Sequence, residues 1–166
     1  MKKLLSSLLI LTIFASCNSA KENKTPTNDG YTLQKSENIE FAKKTLISAA
    51  SGDLDTYKSL YSDTAIFYDN AAKETLQQNI EVFNQMKAAG ISIKLEKFDA
   101  VFEAVDNVAN PEIGTNDYIF IYCTLTFSKG DKKITIPFHQ ANALKGGKII
   151  REWDFYDGSA ISELMK

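Results

Sequence analysis

Histidine and tryptophan each occur once in the 166 residues, and cysteine only twice. One histidine among scattered carboxylates gives no metal-ligand spacing, so neither a metal nor a cofactor is expected. No glycine-rich phosphate loop, no nucleophile elbow and no internal repeat is present. Basic blocks are missing too. With Lys2 and Lys3 set aside, 17 basic face 21 acidic side chains, a formal charge of −4, which offers nothing to nucleic acid. The N-terminal apolar run, Leu4 to Phe14, is too short to cross a bilayer comfortably.

That run follows the positive Met1-Lys2-Lys3, the pattern of an export signal. It closes on Phe14-Ala15-Ser16-Cys17, and small residues directly before a cysteine resemble the lipobox of bacterial lipoproteins, with Phe14 where that pattern prefers Leu. The resemblance implies residues 1–16 as a signal peptide, a lipid on Cys17, anchorage to a membrane and residence in the bacterial cell envelope. Asn18, in place of Asp, favours the outer membrane, on its periplasmic or surface side. Residues 17–33 form the lipidated cysteine and a polar, breaker-rich tether, and 34–166 the folded domain. Cys123 is then the one free thiol. It sits in an alternating apolar run, as a small buried hydrophobe does.

Within the domain the early part has helical periodicity. Ser36 is a candidate N-cap for a helix with Ile39, Ala42, Leu46 and Ala49 on one face, stopped at Gly52. Asp53 can cap a shorter helix carrying Leu54, Tyr57, Leu60 and Tyr61. Ala65 to Asp69 is a short strand ending in a polar turn. Thr75 with Gln78 forms a capping-box pattern ahead of the stripe Leu76, Ile80, Phe83, Met86 and Ala89. From Ile91 onward the chain alternates as strand. Ile91, Ile93 and Leu95 are followed out of phase by Phe98, Ala100 and Phe102, which predicts a bulge near Glu96 to Phe98 and a bent sheet. Asp106 to Asp117 is expected as a long irregular connection, and Pro137 as an edge or bulge position. Gly158 to Lys166 is a short tail with a helical turn.

The last hairpin, His139 to Asp157, holds the sole histidine and tryptophan around a Gly146-Gly147 turn. Pairing Lys145 with Lys148 sets a register in which His139 faces Asp154 and Ala141 faces Glu152, all on one side. One side would carry His139, Glu152, Asp154 and Tyr156; the other would carry Phe138, Trp153 and Phe155. Hydrophobicity alone would turn the second set inward.

The order of these elements, with Gly52-Asp53-Leu54-Asp55, Ile66-Phe67-Tyr68-Asp69 and the closing Gly147 to Asp157 strand, resembles the nuclear-transport-factor-2-like superfamily, nearest the SnoaL-like polyketide cyclases and ketosteroid isomerases. The resemblance covers about Gln34 to Asp157 and implies an α+β domain. In it a cone-shaped, strongly curved mixed sheet of about four to six strands wraps three N-terminal helices. It places Asp69 at the general-base position, His139 at the oxyanion-hole position, and Asp154 at an acid/base position of the cyclases, with Glu152 and Tyr156 facing the pocket. The tyrosine that isomerases carry on the first helix is replaced near Thr45, so steroid isomerisation is not expected.

Three functions stay open on this reading. The first is binding of a small, partly apolar molecule in a pocket floored by Phe67, Phe98 and Phe102 and ringed by Asp69, His139, Asp154, Glu152 and Tyr156. The second is acid/base catalysis beside a carbonyl by Asp69, His139 and Asp154. The third is a protein-interaction module of the envelope. The resemblance also implies a homodimer through the outer sheet face, which would cover its apolar side chains.

Overall fold

The computed structural model describes residues 30–165, so the signal, Cys17 and most of the tether lie outside the described residues. The element order is β1 (Tyr31–Leu33), α1 (Glu37–Ser51), α2 (Leu54–Ser59), β2 (Tyr61–Asp69), β3 (Ala72–Thr75), α3 (Leu76–Ala88), β4 (Ser92–Asn110), β5 (Thr115–Lys129), β6 (Lys132–Lys145), β7 (Lys148–Phe155) and α4 (Gly158–Met165). The strands form one curved, unclosed mixed sheet in the order β1-β4-β5-β6-β7-β2-β3. All neighbours are antiparallel except β2 and β7.

The helix ends follow from local chemistry. Ser36 Oγ accepts the Ile39 amide at 3.0 Å, and Gly52 closes α1 at φ 74°, a left-handed value that costs glycine little. Asp53 caps α2 through the Thr56 amide, and Thr75 and Gln78 form a reciprocal capping box on α3. The apolar faces of α1 and α2 bury Ile39, Ala42, Leu46 and Tyr57 against Phe67, Ile121, Leu125, Phe127 and Ile149. The sheet bends because β4 carries extra residues. Its pairing with β5 shifts between Leu95 and Lys97 and again between Phe98 and Ala100, at and just beyond the bulge that the sequence indicates.

Several expectations are corrected. The sheet has seven strands rather than four to six, because two short edge strands carry too little pattern to stand out. One of them, Tyr31–Leu33, pairs with β4 and lies in what the sequence assigned to the tether. The other, Ala72–Thr75, turns back on β2 straight after Asp69. The irregular connection expected at 106–117 is shorter, since β4 runs to Asn110 and β5 starts at Thr115, but the pairing of the two is broken between Val105 and Asn110. At Pro137 β6 has β5 as its neighbour and has run past the end of β7, so the missing N–H weakens no second ladder.

Candidate functional site: a carboxyl-floored cavity

The hairpin register is decided by one residue. The Gly146-Gly147 turn (φ 59° and 73°) pairs Lys145 with Lys148 and Leu144 with Ile149, but the next pair is Ala143 with Arg151. Ile150 is therefore a bulge, and every later side chain lies one step from the regular register. Gln140 faces Asp154, Asn142 faces Glu152, and His139 faces Phe155 instead of Asp154. Glu152 and Asp154 thus point inward beside Gln140 and Asn142, and His139 points outward.

On the outer face His139 stacks on Tyr122 at a ring separation of 4.1 Å, within a row that also contains Phe102, Phe120 and Phe155. Its Nε2 is buried with no hydrogen-bond partner, and burial holds its pKa below the ordinary value. Placement of His139 opposite Asp154 is corrected accordingly. Phe102 lies in the same outer row, Phe98 lies under the Lys43 ammonium, and Phe67 is core packed on Tyr61; none of the three lines the cavity.

The cavity enclosed between sheet and helices measures about 70 Å³. Its walls are Leu46 and Ala49 of α1, Val82, Phe83 and Met86 of α3, Phe127 and Phe138 of the sheet, and Ile161 of α4. Its polar floor is Asp69, Gln140, Glu152, Asp154 and Tyr156, with Thr45 and Asn79 at the sides. Asp69 and Asp154 are direct neighbours across the parallel β2–β7 pair, and the Asn70 amide donates to the Asp154 carbonyl at 2.8 Å to hold the strand ends together.

These groups are tightly wired. Tyr61 Oη donates to Glu152 Oε2 at 2.5 Å, Tyr156 Oη to Asp69 Oδ2 at 2.9 Å, and Gln140 Nε2 to Asp154 Oδ1 at 3.2 Å. Thr45 Oγ1 and Asn142 Nδ2 both donate to Gln140 Oε1, at 2.8 and 3.0 Å. Glu152 is 1% exposed, and burial pushes its carboxyl up to about 7 against the hydrogen bonds it accepts. Burial, then the adjacent Glu152 charge, also pushes Asp154 well up. Two acids this close share a proton near neutrality, because ionising both would confine two like charges in a dry site. Burial raises the Tyr57, Tyr61 and Tyr156 phenols as well, so they stay protonated donors. The arrangement can hold a proton, give one or take one up, beside an apolar wall. Among the described residues no three His, Cys, Asp or Glu side chains are placed to hold a metal ion.

Of the residues singled out from the sequence, the cavity gathers Asp69, Glu152, Asp154 and Tyr156. Gln140 and Phe138 of β6 are among the cavity residues that sequence reasoning missed, as are Thr45, Asn79 and the α3 side chains Val82, Phe83 and Met86. The signal for the two β6 residues was the Ile149-Ile150 doublet, which breaks the period of two just where the strand needs an extra residue.

No family model and no curated protein matches the chain. Solved structures do. A candidate polyketide cyclase from Streptomyces antibioticus is 9% identical, with 78% of this chain and 99% of that chain covered at a TM-score of 0.56. Another, from Pseudomonas putida, is 13% identical over 76% and 96% at 0.55. An LEH-like epoxide hydrolase from M. tuberculosis is 12% identical over 76% and 83% at 0.57. The chain therefore has the nuclear-transport-factor-2-like cone fold. At these identities the likeness carries the fold alone.

Proposed function

We propose that the domain binds a small, partly apolar molecule in the cavity between α1, α3 and the β6–β7 hairpin. The observation that carries this reading is the meeting of an apolar wall (Phe83, Met86, Phe127, Phe138) with convergent polar groups (Asp69, Gln140, Asp154, Tyr156) in one enclosed space. A library of small neutral and charged fragments, followed by NMR, tests it. Binders are expected to shift methyl and ring signals of Met86, Phe83 and Phe138; a library whose hits move only outer-face residues overturns the reading.

A second reading, acid/base turnover beside a carbonyl, is favoured by the shared proton of Glu152 and Asp154 with Asp69 alongside. Its general acid would be the dyad, with Asp69 available as base. Conversion of a retained ligand by the wild-type chain but not by Asp154→Asn distinguishes turnover from plain binding.

Lipidation of Cys17, anchorage to the cell envelope and sorting to the outer membrane belong to the same proposal, and rest on the Phe14 to Cys17 pattern. Incorporation of labelled fatty acid is expected in the wild type and absent in Cys17→Ala. A second copy on the outer face is proposed from its partly exposed aromatic row, where Tyr122 and Phe155 remain 41% and 47% exposed. Sedimentation velocity is expected to show a dimer that Tyr122→Lys dissociates; a monomer at all concentrations counts against it.

A further inference from the structure

We infer that the cavity takes a small aliphatic amine, held as its ammonium ion between Asp154 and Asp69. This rests on the reading of the cavity as a ligand site, and it concerns which chemistry the floor can recognise.

Acceptor oxygens of Asp69 and Asp154 dominate the floor. Gln140 Oε1 receives Asn142 Nδ2 and lies 2.8 Å from Thr45 Oγ1. Gln140 Nε2 donates to Asp154 Oδ1, which makes that oxygen an acceptor. The phenol hydrogens nearby are committed too. Tyr156 donates to Asp69, Tyr61 to Glu152, and Tyr57 to Asn79 Oδ1. Among the described residues no lysine, arginine or histidine lines the cavity.

A carbonyl oxygen placed here would meet acceptor oxygens and lose its hydrogen bond to water. An ammonium group brings its own donors, one for Asp154 Oδ1 and one for Asp69, which are adjacent across β2 and β7. The rings of Phe83, Phe138 and Tyr57 border the same space and suit the cation and its alkyl part. The cavity of about 70 Å³ limits the ligand to a small one.

The dyad adds a signature. An ammonium ion beside Asp154 replaces the shared proton as the counter-charge, so binding releases a proton and tightens as pH rises. Charge is conserved: the singly protonated dyad and the ammonium go to the ionised dyad with bound ammonium plus one free proton.

Isopropylamine and isopropanol, matched in shape, are the probes. NMR titration of the intact domain at pH 7.5 is expected to give at least tenfold tighter binding of the amine, with shifts at Phe83, Phe138 and the Asp154 carboxyl. Calorimetry in buffers of different ionisation heat is expected to show proton release, and affinity to rise several-fold between pH 6 and pH 8. Asp154→Asn, close in shape to the original and without the negative charge, is expected to remove the preference for amine. If isopropanol binds as well as isopropylamine, the amine inference falls and the cavity reading stands. If neither shifts a cavity signal at high concentration, both fall.

Discussion

Tyr61 shows how much one hydroxyl can set. Its ring is core, packed on Tyr57 and Phe67 at 4.9 Å, while its oxygen is the donor to a carboxyl that is 1% exposed. Replacing Tyr61 by Phe keeps the packing and leaves Glu152 Oε2 buried without that donor. The expected cost is about 1–3 kcal/mol in urea denaturation, with the Glu152 titration moved upward. A neutral substitution would mean that water reaches Glu152. Cys123 makes the opposite case. Burial first, then the charges of Asp99 and Asp154, push its thiol up to about 12, and it is 2% exposed. Iodoacetamide at pH 8 is expected to label it only after unfolding; rapid labelling of the native chain would contradict the burial.

At the level of elements, the local signals of the chain are what organise it. The Gly146-Gly147 turn occupies two left-handed positions with no side-chain obstruction near either. Gly146→Val is therefore expected to cost about 1–2 kcal/mol through backbone strain alone, while Gly146→Asn, which tolerates that conformation, stays near neutral. Equal losses for the two, read from thermal unfolding, would move the cause away from backbone conformation. Caps were legible for the same reason that turns were: Ser36, Asp53, Thr75 and Gln78 act on amides three residues away, and sequence distance contains that information. The bulge at Ile150 was less legible. It depends on how β7 meets β6 on one side and β2 on the other, where the pairing also shifts between Tyr61 and Ile66. That single extra residue exchanged Gln140 for His139 at the cavity. Asp69, Glu152 and Asp154 were found because their strand ends were placed correctly; Phe98 and Phe102 were misassigned because the β4 bulges turn one onto α1's lysine and the other outward.

Across the whole molecule two carboxyl pairs stand apart in the same sheet. One is Glu152 with Asp154 at the cavity. The other is Glu103 with Asp117, joined by Asn38 Nδ2, which donates to Glu103 Oε1 at 2.9 Å and Asp117 Oδ2 at 2.8 Å. Burial and the neighbouring Glu103 push Asp117 up to about 7. Burial opposes ionisation of Glu103 too, but hydrogen bonds from Ser36, Asn38 and the Asp117 carboxyl prevail and hold it below the usual range. The sign of the pH dependence follows. Glu152 and Asp117 keep protons when folded that they release near pH 4 when unfolded, so their contribution is full below that and is lost as pH rises toward about 7; Asp154, raised by burial, acts in the same direction. Glu103 works the other way, and its contribution is lost as pH falls through its lowered value. Stability is therefore expected to be greatest near pH 4 and to decline toward pH 8, by on the order of 2 kcal/mol once solvent screening of the half-buried Asp117 is allowed for. Urea midpoints measured at pH 4, 5, 6, 7 and 8 check the shape. Combining Glu152→Gln with Asp117→Asn removes one titrating partner from each pair and keeps the shapes, so the decline between pH 5 and pH 8 should flatten in that variant. A wild-type curve that rises over this range would show that neither pair holds a proton in the folded chain.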